Sequence, residues 1–224
     1  ILKKKFNKFL EETQNSPFSY EVLVCDNHSD DGTYEFLKEI ESRSPKNFKF
    51  IFNSSNLGKG GSVKKCAHLS KGKYIAVFDI DEYDYNDLIV ADSILKKNND
   101  IDFLVGSRIL EGKKYYIYKK NYYGVIVLTG LINLLFKINI TDSAAAIKFF
   151  RKEIYDKLTI PTNNFDFEFD LLCKYAKKKC SIIEFPIQYF PRTFEQGKKI
   201  HALKDGLMIL KVILKNFFTK NEKK

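Results

Sequence analysis

The chain has 224 residues, 44% of them hydrophobic, which suits one sizeable α/β domain or one domain with an appendage. Its net charge of +10 directs it toward anionic partners: nucleic acid, acidic lipid or phosphorylated small molecules. The four cysteines, Cys25, Cys66, Cys173 and Cys180, show no C-x-x-C spacing, so they read as free thiols in a reducing compartment rather than a disulfide framework or a zinc site.

In chain order, Ile1 to Glu12 carries apolar residues at helical spacing with lysines between them. No signal peptide is visible, and the first residue is Ile rather than Met, so an upstream segment is expected. Tyr20–Cys25 reads as a strand that ends at Asp26, followed by the polar turn Asn27–Thr33 and a helix from about Thr33. Phe48–Phe52 is the next strand. Asn56-Leu57-Gly58-Lys59-Gly60-Gly61 is a glycine-rich turn opening a helix to about Ser70. Tyr74–Phe78 is an apolar run of strand length that closes on Asp79-Ile80-Asp81. A helix over Tyr85–Lys97 follows, with Asp84 as N-cap and Asp87 in its first turn. Phe103–Gly106 is a strand ending in Ser107-Arg108. Strand alternating with helix predicts a doubly wound, mostly parallel mixed sheet flanked by helices.

Beyond Arg108 the pattern changes. Glu111–Gly124 interleaves lysines with tyrosines, and Val125–Phe136 is nearly all apolar yet too short to span a bilayer. Lys148–Arg151 leads into a helix near Lys152–Lys157, and Phe165–Lys179 reads as a helix or a strand–helix junction. Ser181–Ile187 is a strand, Gln188–Lys199 a loop, and Ile200–Phe218 a helix with Lys204, Lys211 and Lys215 on one line. Thr219–Lys224 is expected to fray. The expected division is a main domain over 1–199 and an amphipathic helix with a basic tail over 200–224.

Several strand ends carry chemistry. Ligands of open α/β sheets gather beyond the carboxyl ends of the strands. If the strand pitch continues, Asp79 and Asp81 place two carboxylates on one side, as a divalent cation carrying a phosphate requires; an acidic turn ending the strand is the plainer alternative. Asp26 can accept a bond from a base or a ribose, or simply order a turn. The glycines before Lys59 allow close backbone approach to a ligand, although the spacing is neither a P-loop nor a dinucleotide fingerprint. Arg108 suits a diphosphate or is an isolated surface arginine. Asp142, Asp166, Glu168 and Asp170 are helix caps or a general base, and Arg192 with Lys198 suits a lid over phosphates. No helix-turn-helix, RNP-like or zinc-finger pattern accompanies the basic residues, so no nucleic-acid partner is expected.

Taken together these segments resemble family 2 glycosyltransferases of the GT-A fold, and within them the polyprenyl-phosphate (dolichyl-phosphate type) mannosyl- and glucosyltransferases. Val24–Thr33 is similar to the family's V-V-D-D-G-S-x-D-G-T, Asn56–Gly61 to its N-x-G-K-G-x, Asp79–Asp81 to its metal-binding D-x-D and Gly106–Arg108 to its G-S-R. Asp142–Glu153, Phe165–Leu172, Glu184–Ile187 and Arg192 with Gly197-Lys198 resemble further segments in the same order. The family's opening strand has no counterpart, His28 stands at a glycine position, and Ala144–Ala146 replaces a Ser/Cys/Gly-containing stretch. The resemblance implies inverting sugar transfer from a nucleoside diphosphate sugar, with Mg²⁺ or Mn²⁺ on Asp79 and Asp81. Asp26, Asn56, Lys59, Asp79, Asp142 and Lys198 would bind substrate, and the metal on Asp81, with Arg108, Arg192 and Lys198, would stabilise the leaving diphosphate. A polyprenyl phosphate acceptor needs no base; a glycan hydroxyl would need Glu168 or Asp170. The basic, aromatic segments then suit an anionic membrane surface on its cytoplasmic face.

Overall fold

The computed structural model of the protein describes residues 2–14, 16–17, 19–43, 45–110, 116–191 and 202–219. The first half alternates as expected: α1 (Leu2–Gln14), β1 (Val22–Asp26), α2 (Thr33–Ser42), β2 (Phe48–Phe52), α3 (Gly58–Leu69), β3 (Tyr74–Val77), α4 (Tyr85–Lys97) and β4 (Phe103–Ser107). The second half adds α5 (Lys119–Phe136), β5 (Lys148–Arg151), α6 (Lys152–Tyr155), α7 (Phe167–Lys177), β6 (Ile182–Pro186) and α8 (Ala202–Phe218). The strand β5 is absent from the sequence reading, where Lys148–Arg151 only leads into a helix.

The described strands form two groups. In one, β1 pairs with β2 in parallel; in the other the order is β3-β5-β4-β6, with β5 antiparallel to both neighbours and β4 parallel to β6. Two features tie the groups together. The Glu21 carboxylate accepts the Gly72 N–H at 3.1 Å and the Lys71 N–H. Across α1, Phe6 meets Phe36 of α2, while Phe9 meets both Phe48 of β2 and Phe78 beyond β3.

Strand periodicity places the core on both faces of the four-stranded sheet. Phe103, Val105 and Phe150 face one cluster, where Phe103 lies 4.8 Å from Tyr175 of α7; Leu104 and Phe149 face the other, with Phe185 and Ala91. Each fully buried aromatic of this kind contributes on the order of 1.5–3 kcal/mol relative to exposure. The helix α8 is part of this core. Its Ile209, Ile213 and Asn216 are buried at helical spacing, and Asn216 Nδ2 donates to Asp170 Oδ1 of α7 at 2.9 Å. The far C-terminal residues 220–224 lie outside the described residues, as does the expected fraying there.

Asp84 caps α4 as expected, accepting the Asn86 N–H at 2.9 Å. Three residues on, Asp87 is buried. Burial pushes its carboxyl up to about 6, only partly offset by the Gln188 N–H donated to Oδ1 at 3.2 Å. A carboxyl raised in the folded state destabilises the fold where it is ionised, and that penalty fades as the pH falls from about 6 through the unfolded value near 4. Asp87→Asn keeps the acceptor for Gln188. It is therefore expected to raise unfolding stability by about 1–2 kcal/mol at pH 7.5 and by about a third of that at pH 4.5. Urea titrations of both proteins at the two pH values check this; an equal difference at both would refute it.

Candidate active site

The strand β3 stops at Val77, two residues before the acidic pair. The Asp79 carbonyl accepts the N–H groups of Glu82 and Tyr83 at 3.0 and 3.2 Å, so Asp79–Tyr83 is a helical turn. The strand pitch therefore does not run through Asp81, and the turn, not strand alternation, sets where the two aspartates stand. Tyr83 anchors it. Its ring is buried, its hydroxyl accepts the Ala146 N–H at 2.8 Å, and its backbone bridges to Tyr189 beyond β6. Phe190 N–H donates to the Glu82 carbonyl at 2.8 Å, and Lys5 of α1 donates to the Asp81 carbonyl. The turn is thus held from three directions.

A row of alternating charges begins at this turn. Lys59 Nζ lies 2.7 Å from Asp79 Oδ2 and 2.7 Å from Glu168 Oε1; the other Glu168 oxygen lies 3.4 Å from Lys148 Nζ. Lys148 is in β5, only 1% exposed, and also donates to the Ala145 carbonyl. Burial alone would raise the Glu168 carboxyl, but the two ammonium groups outweigh it and hold it below its usual range. Burial dominates at Lys148 and depresses it, against the pull of Glu168. The glycines around Lys59 serve packing here. A Cβ on Gly60 would sit 2.4 Å from Phe167 Cβ, one on Gly58 (φ +74°) would sit 2.4 Å from the Asn163 carbonyl, and the Gly61 N–H donates to that carbonyl at 3.0 Å. The glycine turn makes a close backbone approach to the segment that opens α7, and this presents Lys59 to Glu168.

The turn after β1 is joined to this glycine turn. Asp26 is 3% exposed; its Oδ2 accepts the N–H groups of His28 and Ser29 at 3.1 and 3.2 Å. Its Oδ1 is buried with no hydrogen-bond partner among the described residues, an arrangement that costs free energy unless a donor arrives. His28 takes φ +64°, the conformation for which the family's glycine is suited. Asn56 Oδ1 accepts from Asn27 Nδ2 and from the Gly58 N–H, while Asn27 Oδ1 accepts from the Leu57 N–H and from buried Asn53. Asn56 thereby locks two loops together.

Arg108 and Asp142 find each other. Nε and Nη2 of Arg108 donate to the two Asp142 oxygens at 2.7 and 2.8 Å, and the Arg108 N–H adds a third bond at 3.1 Å. The guanidinium lies between the rings of Tyr116 and Tyr189, at 4.9 and 5.0 Å. Burial opposes both charges, yet the pairing prevails: Asp142 is held below the usual carboxylate range and Arg108 above its own. Glu184 of β6 supports this pair by accepting the Thr141 and Asp142 N–H groups at 2.7 and 2.9 Å. Asp170, two residues from Glu168, turns the other way and is taken up by Thr162 and Asn216 at 3.0 and 2.9 Å. Arg192 and Lys198 lie outside the described residues.

The structure thus brings Asp79, Lys59 and Glu168 into contact, ties Asp26 and Asn56 to them through the loops, pairs Arg108 with Asp142, and points Asp170 elsewhere. Lys148 and Glu184 are the additions. A lone lysine inside the apolar run Ala144–Phe150 was the available signal for the first. Among the described residues no group of three or more His, Cys, Asp or Glu side chains is placed to hold a metal ion. Two carboxylates are hard oxygen donors of the kind Mg²⁺ and Mn²⁺ take, with a ligand's phosphate oxygens completing the shell.

A family model, Glycosyl transferase family 2, matches residues 2–159. Over 219 residues the chain is 26% identical to a dolichyl-phosphate beta-glucosyltransferase of Dictyostelium discoideum, covering 93% of this chain and 66% of that protein. Over 183 residues it is 25% identical to a dolichol-phosphate mannosyltransferase of Pyrococcus furiosus, covering 80% of this chain and 51% of that protein. It thus spans less than two thirds of the length of either relative. Glucosyl-3-phosphoglycerate synthase of Mycobacterium tuberculosis, solved with Mn²⁺, UDP and phosphoglyceric acid, superposes with a TM-score of 0.64 at 14% identity, over 90% of this chain and 69% of that one. Mannosyl-3-phosphoglycerate synthase of Rubrobacter xylanophilus does so with a TM-score of 0.64 at 14% identity, over 96% and 68%. At such identities the likeness establishes the GT-A fold.

Proposed function

Because this chain belongs to glycosyl transferase family 2, we propose that it transfers a sugar, with inversion, from a nucleoside diphosphate sugar to a polyprenyl phosphate at the cytoplasmic face of an anionic membrane. The observation that carries this reading is the juxtaposition of the Asp79–Asp81 turn with the Lys59–Glu168–Lys148 row. Asp79 and Asp81 would hold Mg²⁺ or Mn²⁺, which when bound supplies positive charge to the departing diphosphate. Asp26 Oδ1 is the acceptor waiting for a nucleoside donor. Lys59 adds a cation beside the diphosphate, as would Arg192 and Lys198. Arg108 contributes by fixing Asp142 and the loop around it.

The engagement of the two candidate bases supports a phosphate acceptor. Glu168 is engaged by two ammonium groups, and Asp170 is tied to α8, so neither is poised to take a hydroxyl proton. A phosphate acceptor is already anionic and needs no such help. The lipid surface would lie against α5 and α8. Tyr123, Val127 and Leu134 form an exposed apolar line on α5 at helical spacing, with Lys119, Lys120 and Lys137 at its ends. Phe217 of α8 packs on Phe136, leaving Leu207 and Phe218 outward beside Lys211 and Lys215. Among the described residues no helix is long and apolar enough to cross a membrane.

The test offers labelled UDP- and GDP-sugars with polyprenyl phosphate, polyprenol or a glycan in vesicles containing anionic lipid. Transfer to polyprenyl phosphate alone is expected, with vesicle binding that weakens in high salt. Transfer to the glycan instead would overturn the acceptor. Nucleotide binding without turnover would mark a silent relative.

A further inference from the structure

We propose that Lys59 is a tethered cation competing with the divalent ion for Asp79, so that metal and nucleoside diphosphate enter the site as a coupled pair. This rests on the assignment of Asp79 to the metal given above. The two partners of Lys59 are unequal. Glu168 is 6% exposed and fixed on its other oxygen by Lys148, whereas Asp79 is more open and sits on a surface turn. The backbone that carries Lys59 has little freedom, since the Gly60–Phe167 contact and the Gly61–Asn163 hydrogen bond pin the first turn of α3, while the long side chain can still swing from one carboxylate to the other. Glu168 is therefore the permanent anchor and Asp79 the exchangeable one.

The charges make the exchange consequential. Asp79, Lys59, Glu168 and Lys148 are in ionic contact along the row, and with Asp81 the five groups sum to −1. A divalent ion coordinated by Asp79 repels the ammonium that now lies 2.7 Å from Oδ2. Displaced, that ammonium retains only Glu168, in a partly desolvated cluster whose net charge the ion has turned from −1 to +1. A diphosphate removes the mismatch: its oxygens accept from Lys59 and complete the shell of the ion. Metal alone is thus resisted, diphosphate alone finds Lys59 still engaged, and each raises the affinity for the other by the same factor.

The test is Mn²⁺ binding to the full chain, read from the resonance signal of free Mn²⁺, with and without UDP or GDP. The proteins are wild type, Lys59→Met and Asp79→Asn. The competition predicts that Lys59→Met binds Mn²⁺ alone roughly tenfold more tightly than wild type and shows a correspondingly smaller nucleotide-dependent gain, keeping the part that direct coordination of the diphosphate supplies. Lys59→Met that binds Mn²⁺ alone no better than wild type, while Asp79→Asn abolishes binding, overturns the competition and leaves the metal assignment standing. Mn²⁺ binding that Asp79→Asn leaves untouched removes both. Should Lys59→Met fail to fold, acetylation of Lys59 in the wild-type protein gives the same answer. Mn²⁺ alone is expected to raise its labelling and added nucleotide to lower it again; labelling indifferent to Mn²⁺ rejects the proposal.

Discussion

Asp81→Asn is expected to lower the rate of sugar transfer by roughly 10²–10³-fold while shifting the melting temperature by only a few degrees. The two effects separate because the side chain and the backbone of Asp81 have different tasks. The backbone carbonyl receives Lys5 and helps clamp the turn, and Asn preserves it. The carboxylate is the negative hard ligand of the proposed metal, and a neutral amide weakens that bond when charge builds on the leaving diphosphate. Chelation of divalent ions should reduce wild-type turnover to the level of the variant. Steady-state transfer assays with a parallel thermal melt decide the matter. Full activity in the variant, or wild-type activity indifferent to chelator, would remove the acidic turn from the reaction.

Asp142→Ala should cost about 3–5 kcal/mol of folding stability, the loss typical of leaving one member of a buried ion pair alone. Arg108, 7% exposed beside Asp142, would then keep its guanidinium uncompensated between two tyrosine rings. The double variant Arg108→Met/Asp142→Leu should recover much of that loss, because it removes both desolvated charges together. Denaturant titrations of the single and double variants measure the coupling. The nucleotide affinity of the double variant carries a second message. If it stays near the wild-type value, Arg108 acts by holding the Asp142 loop; a large drop would mean that the guanidinium touches the diphosphate itself.

Much of the first half was legible because its signals are local. Apolar runs of strand length, the Asp84 cap and the glycine turn before α3 all act within a few residues, and the structure places β1 to β4 and α2 to α4 close to where they were read. The strand β5 escaped because Lys148 interrupts its pattern; a lysine is expected outside a core, and its burial is made tolerable by the Ala145 carbonyl and by Glu168, twenty residues later in the chain. Asp79 and Asp81 stood out in the sequence, but strand pitch was the wrong device for placing them, since the chain had already turned into a helical bend at Asp79.

Glu168 and Asp170 show the division most clearly. As residues they were equivalent candidates. Two positions apart on a helix they face different sides, so α7 turns one toward Lys59 and the other toward α8. By itself the amino-acid order determined the succession of strands and helices as far as β4, the strand-end acids and the basic surplus, since these follow from periodicity and caps acting over one or two turns. Which charge meets which was decided only by tertiary structure: Arg108 with Asp142, Lys59 between Asp79 and Glu168, Lys148 behind them. Coulombic partners in a desolvated interior are chosen by distance in space, and the fold alone brings such distant segments within 3 Å or so of one another.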